Sequence, residues 1–241
     1  MSRLPGVPSA DDWPGEERRR PRRSTPQWAV RAPLAAWLEQ QAQLAGTGYR
    51  VLDVGCGPKP YYPFFAERAS EYVGVDVVPQ PAAELVGRVE ELPVEDGAFD
   101  LVLCTQVLEH CDDPARAVGE LRRVTAPGGR VLASTHGVQV YHPSPQDYWR
   151  WTYAGLERLF DESADWESVE VTAGAGTATC LAMLLGIYTE IALRRSVLAR
   201  GPVWLLNGTA AALDARFASL REPRPGSLTA NFHLVATVAA G

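Results

Sequence analysis

Residues 51–60, Val-Leu-Asp-Val-Gly-Cys-Gly-Pro-Lys-Pro, constrain the fold more than any other stretch of the chain. Val51, Leu52 and Val54 form an apolar run of strand length. Gly55 and Gly57 follow at once, where a backbone without side chains can turn tightly or approach a ligand. A strand, a glycine turn and then a helix is the unit from which open α/β sheets build a ligand crevice at their carboxyl edge. Asp53 sits inside the end of that strand, a costly place for a carboxylate that lacks a partner.

The stretches that follow continue the pattern. A helix is expected over residues 61–69, and Tyr72 to Val75 reads as a second strand ending in Asp76. A carboxylate there, about twenty residues after the glycine turn, can accept hydrogen bonds from two ribose hydroxyls. Residues 83–86 read as a short third strand and Phe99 to Cys104 as a fourth. Asp113 and Pro114 are an N-cap and a first helical residue, for a helix reaching Val124. Pro127-Gly128-Gly129 ends it, and a fifth strand covers 130–134. Thr152 caps a helix through Phe160, residues 166–171 form a sixth strand, and 232–238 a seventh. Strands alternating with helices imply a mostly parallel sheet with right-handed crossovers. Ahead of all this, Trp28 to Leu44 has helical spacing, ends at Gly46 and Gly48, and is placed to lie across the crevice.

Composition narrows the function. The 241 residues suit one domain with an extension or insertion. A net charge of −6 argues against a general nucleic-acid binder, which carries a basic face. Cys56, Cys104, Cys111 and Cys180 show neither a CxxC pair nor zinc spacing, so no metal is expected and the thiols read as buried in a reducing cytoplasm. The first thirty residues lack the apolar core of a secretion signal. Residues 1–26, rich in Arg and Pro, read as a disordered, solvated tail. Nicotinamide binding would prefer G-x-G-x-x-G, but from Gly55 the spacing gives Gly57 and then Pro60. No Gly-Lys-Ser/Thr of a phosphate-binding loop follows the first strand.

Four segments, in order, resemble the class I S-adenosylmethionine-dependent methyltransferases of the type 11 kind. They are Asp53-Val54-Gly55-Cys56-Gly57; Gly74-Val75-Asp76; Glu91-Leu92-Pro93 through Phe99-Asp100 to Gln106-Val107-Leu108-Glu109-His110; and Pro127-Gly128-Gly129. The resemblance implies a Rossmann-like α/β fold: a seven-stranded, mostly parallel sheet with an antiparallel last strand and helices on both faces. The methyltransferase domain would span 27–241, with a helical insertion at about 177–221 before the last strand. S-adenosylmethionine would be the cofactor. Asp53 and the backbone of Gly55, Cys56 and Gly57 would border its methionine part, and Asp76 would hold the ribose. Glu91 and Leu92 would flank the adenine, and Gln106 would floor the site. The chain departs from the pattern twice: Lys59 stands where a third glycine is frequent, and Arg88 where a carboxylate often meets the adenine.

Methyl transfer from a sulfonium is an in-line displacement, so a dry site and an aligned nucleophile matter most. A hydroxyl acceptor also needs a base within hydrogen-bond reach. Candidates after the fourth and fifth strands are His110, His136, His142, Asp147, Tyr148 and Arg150. The aromatic-rich run from His142 to Thr152 resembles a stretch that caps the acceptor side in some of these enzymes, which points to His142 as base, with Asp147 beside it. A small-molecule acceptor is expected: a glycan, a lipid-linked intermediate or a natural product, methylated on oxygen. A cofactor-binding partner without catalysis, or a nucleic-acid methyltransferase using Arg18 to Arg23, remain alternatives. The insertion is apolar nearly all round over three turns, yet too short to cross a membrane. It is a candidate for burial, a homodimer contact, a lipid-like acceptor or a membrane-surface contact.

Overall fold

The computed structural model describes residues 13–143 and 146–241. In chain order these form α1 (Glu16–Arg19), α2 (Trp28–Leu44), β1 (Arg50–Val54), α3 (Tyr62–Phe65), β2 (Glu71–Asp76), β3 (Leu85–Val86) and β4 (Phe99–Thr105). There follow α4 (Pro114–Val124), β5 (Thr125–His136), α5 (Tyr153–Ser163), β6 (Ser168–Ala173), α6 (Thr177–Ala192), α7 (Arg200–Arg216) and β7 (Asn231–Thr237). The strands make one seven-stranded sheet in the order β3-β2-β1-β4-β5-β7-β6. β7 runs antiparallel to both its neighbours, and the other pairs are parallel.

From β1 the chain moves outward to β2 and β3, then returns to lay β4 on the other side of β1. That reversal opens a crevice beyond the carboxyl ends of β1 and β4. The central strands are apolar on both faces because both faces are covered. On one face Leu52, Val102 and Val131 pack with Val118 and Leu121 of α4 and Phe160 of α5. On the other, Val51, Leu101 and Leu132 pack with Leu34 and Leu38 of α2 and Phe65 of α3. Asp113 caps α4 by accepting from the Arg116 N–H, and Thr152 caps α5 by accepting from Gly155.

The fifth strand, expected over 130–134, runs Thr125–His136, and three further differences from the sequence reading stand out. The helix expected over 61–69 shrinks to Tyr62–Phe65. The sixth strand is shifted, to Ser168–Ala173, because its register is set by pairing with β7 and not by its own alternation. The third difference is residues 13–26, read as the end of a disordered tail; residues 1–12 of that tail lie outside the described residues. Trp13 packs its ring 4.3 Å from that of Tyr62 and donates its indole N–H to the Lys59 carbonyl at 2.9 Å. Arg19 donates to the carbonyls of Trp13, Pro14 and Pro60. The Asn207 side-chain amide of α7 donates to the carbonyls of Arg23 and Thr25. The partners outside this segment lie 41 to 184 positions away, so no local periodicity could announce them.

Between β6 and β7 stand two helices, α6 and α7. Cys180 and Met183 of α6 meet Ala29 and Val30 of α2 in a third small core. No helix among the described residues is long and apolar enough to cross a membrane.

Candidate active site

Both carboxylates singled out at strand ends are buried at the carboxyl edge. Gly55 and Gly57 adopt left-handed φ values of 65° and 50°. A Cβ on Gly55 would stand 2.4 Å from a methyl of Val107, so nothing larger than glycine fits there. A Cβ on Gly57 would meet nothing within 4 Å, so the chain is bare and open at that point. The N–H groups of Gly55 and Cys56 donate to the Val75 carbonyl, and that of Gly57 donates to Asp76 Oδ2 at 2.9 Å. Asp76 Oδ1 accepts from Val78 N–H at 3.2 Å. Each Asp76 oxygen thus spends one acceptor site on the backbone and keeps further capacity. The loop and the carboxylate lock each other in place.

Asp53 accepts the Tyr72 hydroxyl at 2.7 Å. Burial nonetheless pushes its pKa up to about 7. Cys56 is an inert buried thiol, raised to about 12 by desolvation and by the neighbouring carboxylates. Lys59, at the position where a third glycine is frequent, has φ 52°. Its backbone keeps the glycine conformation, and the ammonium reaches Glu84 at 2.5 and 2.6 Å while passing 5.4 Å from the Tyr72 ring. Glu84 also accepts from Gly74 N–H. The network Lys59–Glu84 and Tyr72–Asp53 went unread in the sequence, because its members come from four separate segments.

The two residues expected beside an adenine divide. Leu92 is buried in the core, and its N–H donates to Glu120. Glu91 is exposed, and its carboxylate meets Arg116 at 3.6 Å. The buried carboxylate of this stretch is Glu90, which accepts from Asp112 N–H at 2.9 Å and from Arg88 at 3.3 Å. Arg88 therefore turns back onto acidic neighbours, Glu90 and Asp112.

Beyond β4, Gln106 has φ 58° and sends its side-chain amide to Ser134 Oγ and Asn231 Oδ1, each at 2.8 Å. It ties together the ends of β4, β5 and β7. Glu109 follows in a single 3₁₀ turn, fully buried. One of its oxygens accepts the Thr135 hydroxyl at 2.9 Å; the other lies 3.2 Å from Nε2 of His136, the last residue of β5, in contact but not aligned as a full hydrogen bond. Nδ1 of His136 is buried and has no partner in the structure. Burial raises Glu109 to about 7, and burial plus nearby His142 and Arg150 lower His136 to about 3.

His142 and Asp147, the expected base and its aide, stand in one cluster with His110 and His136. Asp147 is held in a two-pronged pair by Arg150 and accepts the His142 main-chain N–H at 3.0 Å. The guanidinium keeps its carboxyl far below the usual range, so it is a poor proton acceptor. The His142 ring leans edge-on against His110 (5.4 Å) and His136 (5.1 Å). Tyr148 and Trp149 donate their N–H groups to the Glu109 carbonyl, and Trp149 donates its indole to Cys111. The aromatic run is thus tied to the 3₁₀ turn that carries Glu109. No cluster able to hold a metal occurs among the described residues.

This geometry can be set beside known proteins. Residues 52–133 match the family model of the methyltransferase domain. The chain carries a class I S-adenosylmethionine-dependent methyltransferase domain. An uncharacterized methyltransferase of Mycobacterium sp. (strain JLS) is 42% identical over 114 residues, 43% of this chain and 45% of that protein. The ubiquinone biosynthesis O-methyltransferase of Pseudomonas aeruginosa (strain LESB58) is 34% identical over 117 residues, 41% of this chain and 48% of that one. The chain thus matches just under half the length of these relatives. Among solved structures, the Burkholderia thailandensis 1,6-didemethyltoxoflavin-N1-methyltransferase superposes with a TM-score of 0.54 at 16% identity, covering 88% of this chain and 80% of that one. A [4+2]-cyclase, SpnF, superposes with a TM-score of 0.52 at 18% identity over 84% of this chain and 82% of that one. One fold thus carries different chemistries, and function has to be argued from the site. The methyltransferase domain's carboxyl edge fits the family cofactor: a bare, open glycine turn stands next to a carboxylate with unused acceptor capacity.

Proposed function

We propose that this chain transfers the methyl group of S-adenosylmethionine to a hydroxyl of a small molecule, with His136 as the base and Glu109 as its support. Asp76 would hold the ribose, the turn from Gly55 to Gly57 and Asp53 would border the methionine, and Gln106 would floor the site. When bound, the cofactor supplies an electrophilic methyl on a cationic sulfur. The observation that carries the reading is the Glu109–His136 pair, with Nδ1 buried and unpartnered at the end of β5.

The proton logic follows from that pair. A Glu109 carboxylate 3.2 Å from Nε2 favours the tautomer with hydrogen on Nε2. The lone pair is then on Nδ1, free to take the proton of an acceptor hydroxyl. Burial keeps His136 neutral at rest, so the lone pair is available at ordinary pH. A proton taken up by His136 would make an imidazolium, and the Glu109 carboxylate would face that cation in a site of low dielectric. The names of the relatives favour oxygen as well: one is a ubiquinone biosynthesis O-methyltransferase and another a malonyl-[acyl-carrier protein] O-methyltransferase.

The test is to incubate the chain with methyl-labelled S-adenosylmethionine and fractionated small molecules carrying hydroxyl groups. The expected result is label recovered as a methyl ether or ester. Binding of S-adenosylhomocysteine without transfer to any fraction, or label found only on nitrogen, rejects the proposal.

A further inference from the structure

Two features are left over from the site: the arginine run before α2 and the apolar outer face of the insertion. The structure brings them together. Pro26 packs against Gly186 of α6, and the Arg23 guanidinium stacks 4.3 Å over the Trp204 ring of α7. Where α6 gives way to α7, Leu185, Tyr188, Ile191, Val197, Leu198 and Leu205 are all exposed, the middle two of the turn, Val197 and Leu198, by 67% and 72%. Apolar side chains exposed singly are ordinary, but six within 21 residues around one helix–helix turn are not.

The charges at that turn are one-sided. Between residues 177 and 213 there are three arginines, Arg194, Arg195 and Arg200, and one acid, Glu190, in a chain whose net charge is −6. Arg194 and Arg195 are exposed and adopt consecutive left-handed φ values of 52° and 53°. L-residues adopt that conformation at a cost, and here it falls on two exposed arginines just past the end of α6. Apolar residues flanked by Trp, Tyr and Arg have the composition of an element that lies in a membrane interface.

We infer that the α6–α7 turn, with Arg23, docks the protein on an anionic lipid surface, the apolar residues entering the headgroup region and the arginines meeting lipid phosphates. A second copy of the chain is the other occupant with the right chemistry. A two-fold contact through this turn would press three arginines against three, with one acid on each side, and the charge pattern opposes it. The inference is independent of the methyl-transfer reading, because no residue of the site takes part.

Co-sedimentation of the full chain with vesicles of phosphatidylcholine alone, and of phosphatidylcholine mixed with phosphatidylglycerol, tests it. Binding is expected to the mixed vesicles and to weaken with salt. Replacing Arg194 and Arg195 by Ser should weaken it by roughly 25-fold, about fivefold for each arginine. Leu198→Asp should abolish it while S-adenosylhomocysteine still binds, which shows that the variant is folded. Failure of the full chain to bind mixed vesicles overturns the inference. So does binding that neither variant changes, or a dimer in light scattering that Leu198→Asp dissolves.

Discussion

The two halves of the carboxyl edge each bury an acid whose pKa burial raises to about 7, yet they are built differently. Around β1 and β2 the partners are the backbone and near neighbours: Asp76 holds the Gly57 N–H across 19 residues, and Tyr72 holds Asp53 across 19. Around β4, β5 and β7 they come from far apart: Thr135 reaches Glu109 across 26 residues, and Gln106 reaches Asn231 across 125. In the proposed function the first half would be the cradle that holds the cofactor, and the second, assembled from the ends of three strands, would hold the acceptor.

The largest effect expected from breaking this contrast is at His136. His136→Ala should lower kcat by roughly 10²- to 10⁴-fold, the range for a lost general base, while S-adenosylhomocysteine affinity stays within about twofold. An equal loss in binding would place His136 in the cradle and erase the division. Asp76→Ala should do the reverse. It removes two charged acceptor sites for ribose hydroxyls and orphans the Gly57 N–H, so affinity measured by calorimetry should fall about 100-fold.

Glu109→Gln sharpens the comparison through pH. Because Glu109 titrates near 7, the wild-type rate should climb as pH rises through about 7, where the carboxylate forms. The Gln variant should be slower by about tenfold, with no such climb. Folding stability moves the other way. Asp53 and Glu109 hold protons in the folded chain that the unfolded chain releases near pH 4, so their contribution is full below about pH 4 and is lost as pH rises through about 7. His136 and His233, lowered to about 3 and about 4, contribute above about pH 6.5 and lose that as pH falls. Urea midpoints of Asp53→Asn between pH 4 and 8 should therefore vary less than those of the wild type. An unchanged profile would show that Asp53 does not carry the proton.

Much of the cradle was legible in the sequence because its chemistry is local. Asp53, Gly55, Gly57 and Asp76 fall within two adjacent strand ends, and the α/β alternation that orders the sheet is periodic in the sequence. The acceptor side was legible only as a list of candidates. His136 stood among them, but what distinguishes it from His142 is the buried Glu109 at 3.2 Å, a contact between residues 27 positions apart. Glu90 and Glu91 are adjacent in sequence and opposite in burial, a difference set by the bridge between Arg88 and Glu91 and not by residue type. The segment from Trp13 to Pro26 failed for the same reason: its contacts are with Lys59, Pro60, Tyr62 and Asn207.

The smallest expected effect tests whether the cradle is a matter of backbone alone. Lys59 keeps the left-handed φ of the glycine it stands in for, and that conformation costs an L-residue roughly 1–2 kcal/mol. Its ion pair with Glu84 offsets part of this, but Glu84 is half exposed and can turn to water, so the pair itself is worth about 0–1 kcal/mol. Lys59→Gly relieves the strain and loses the pair, and its urea midpoint should shift little in either direction. Lys59→Met keeps the strain and loses the pair, so it should be the less stable of the two by about 1 kcal/mol. Were Lys59→Gly clearly the worse, the buried ammonium beside Asp53 and Tyr72 would outweigh the backbone, and the cradle would depend on the same long-range side-chain contacts as the acceptor side.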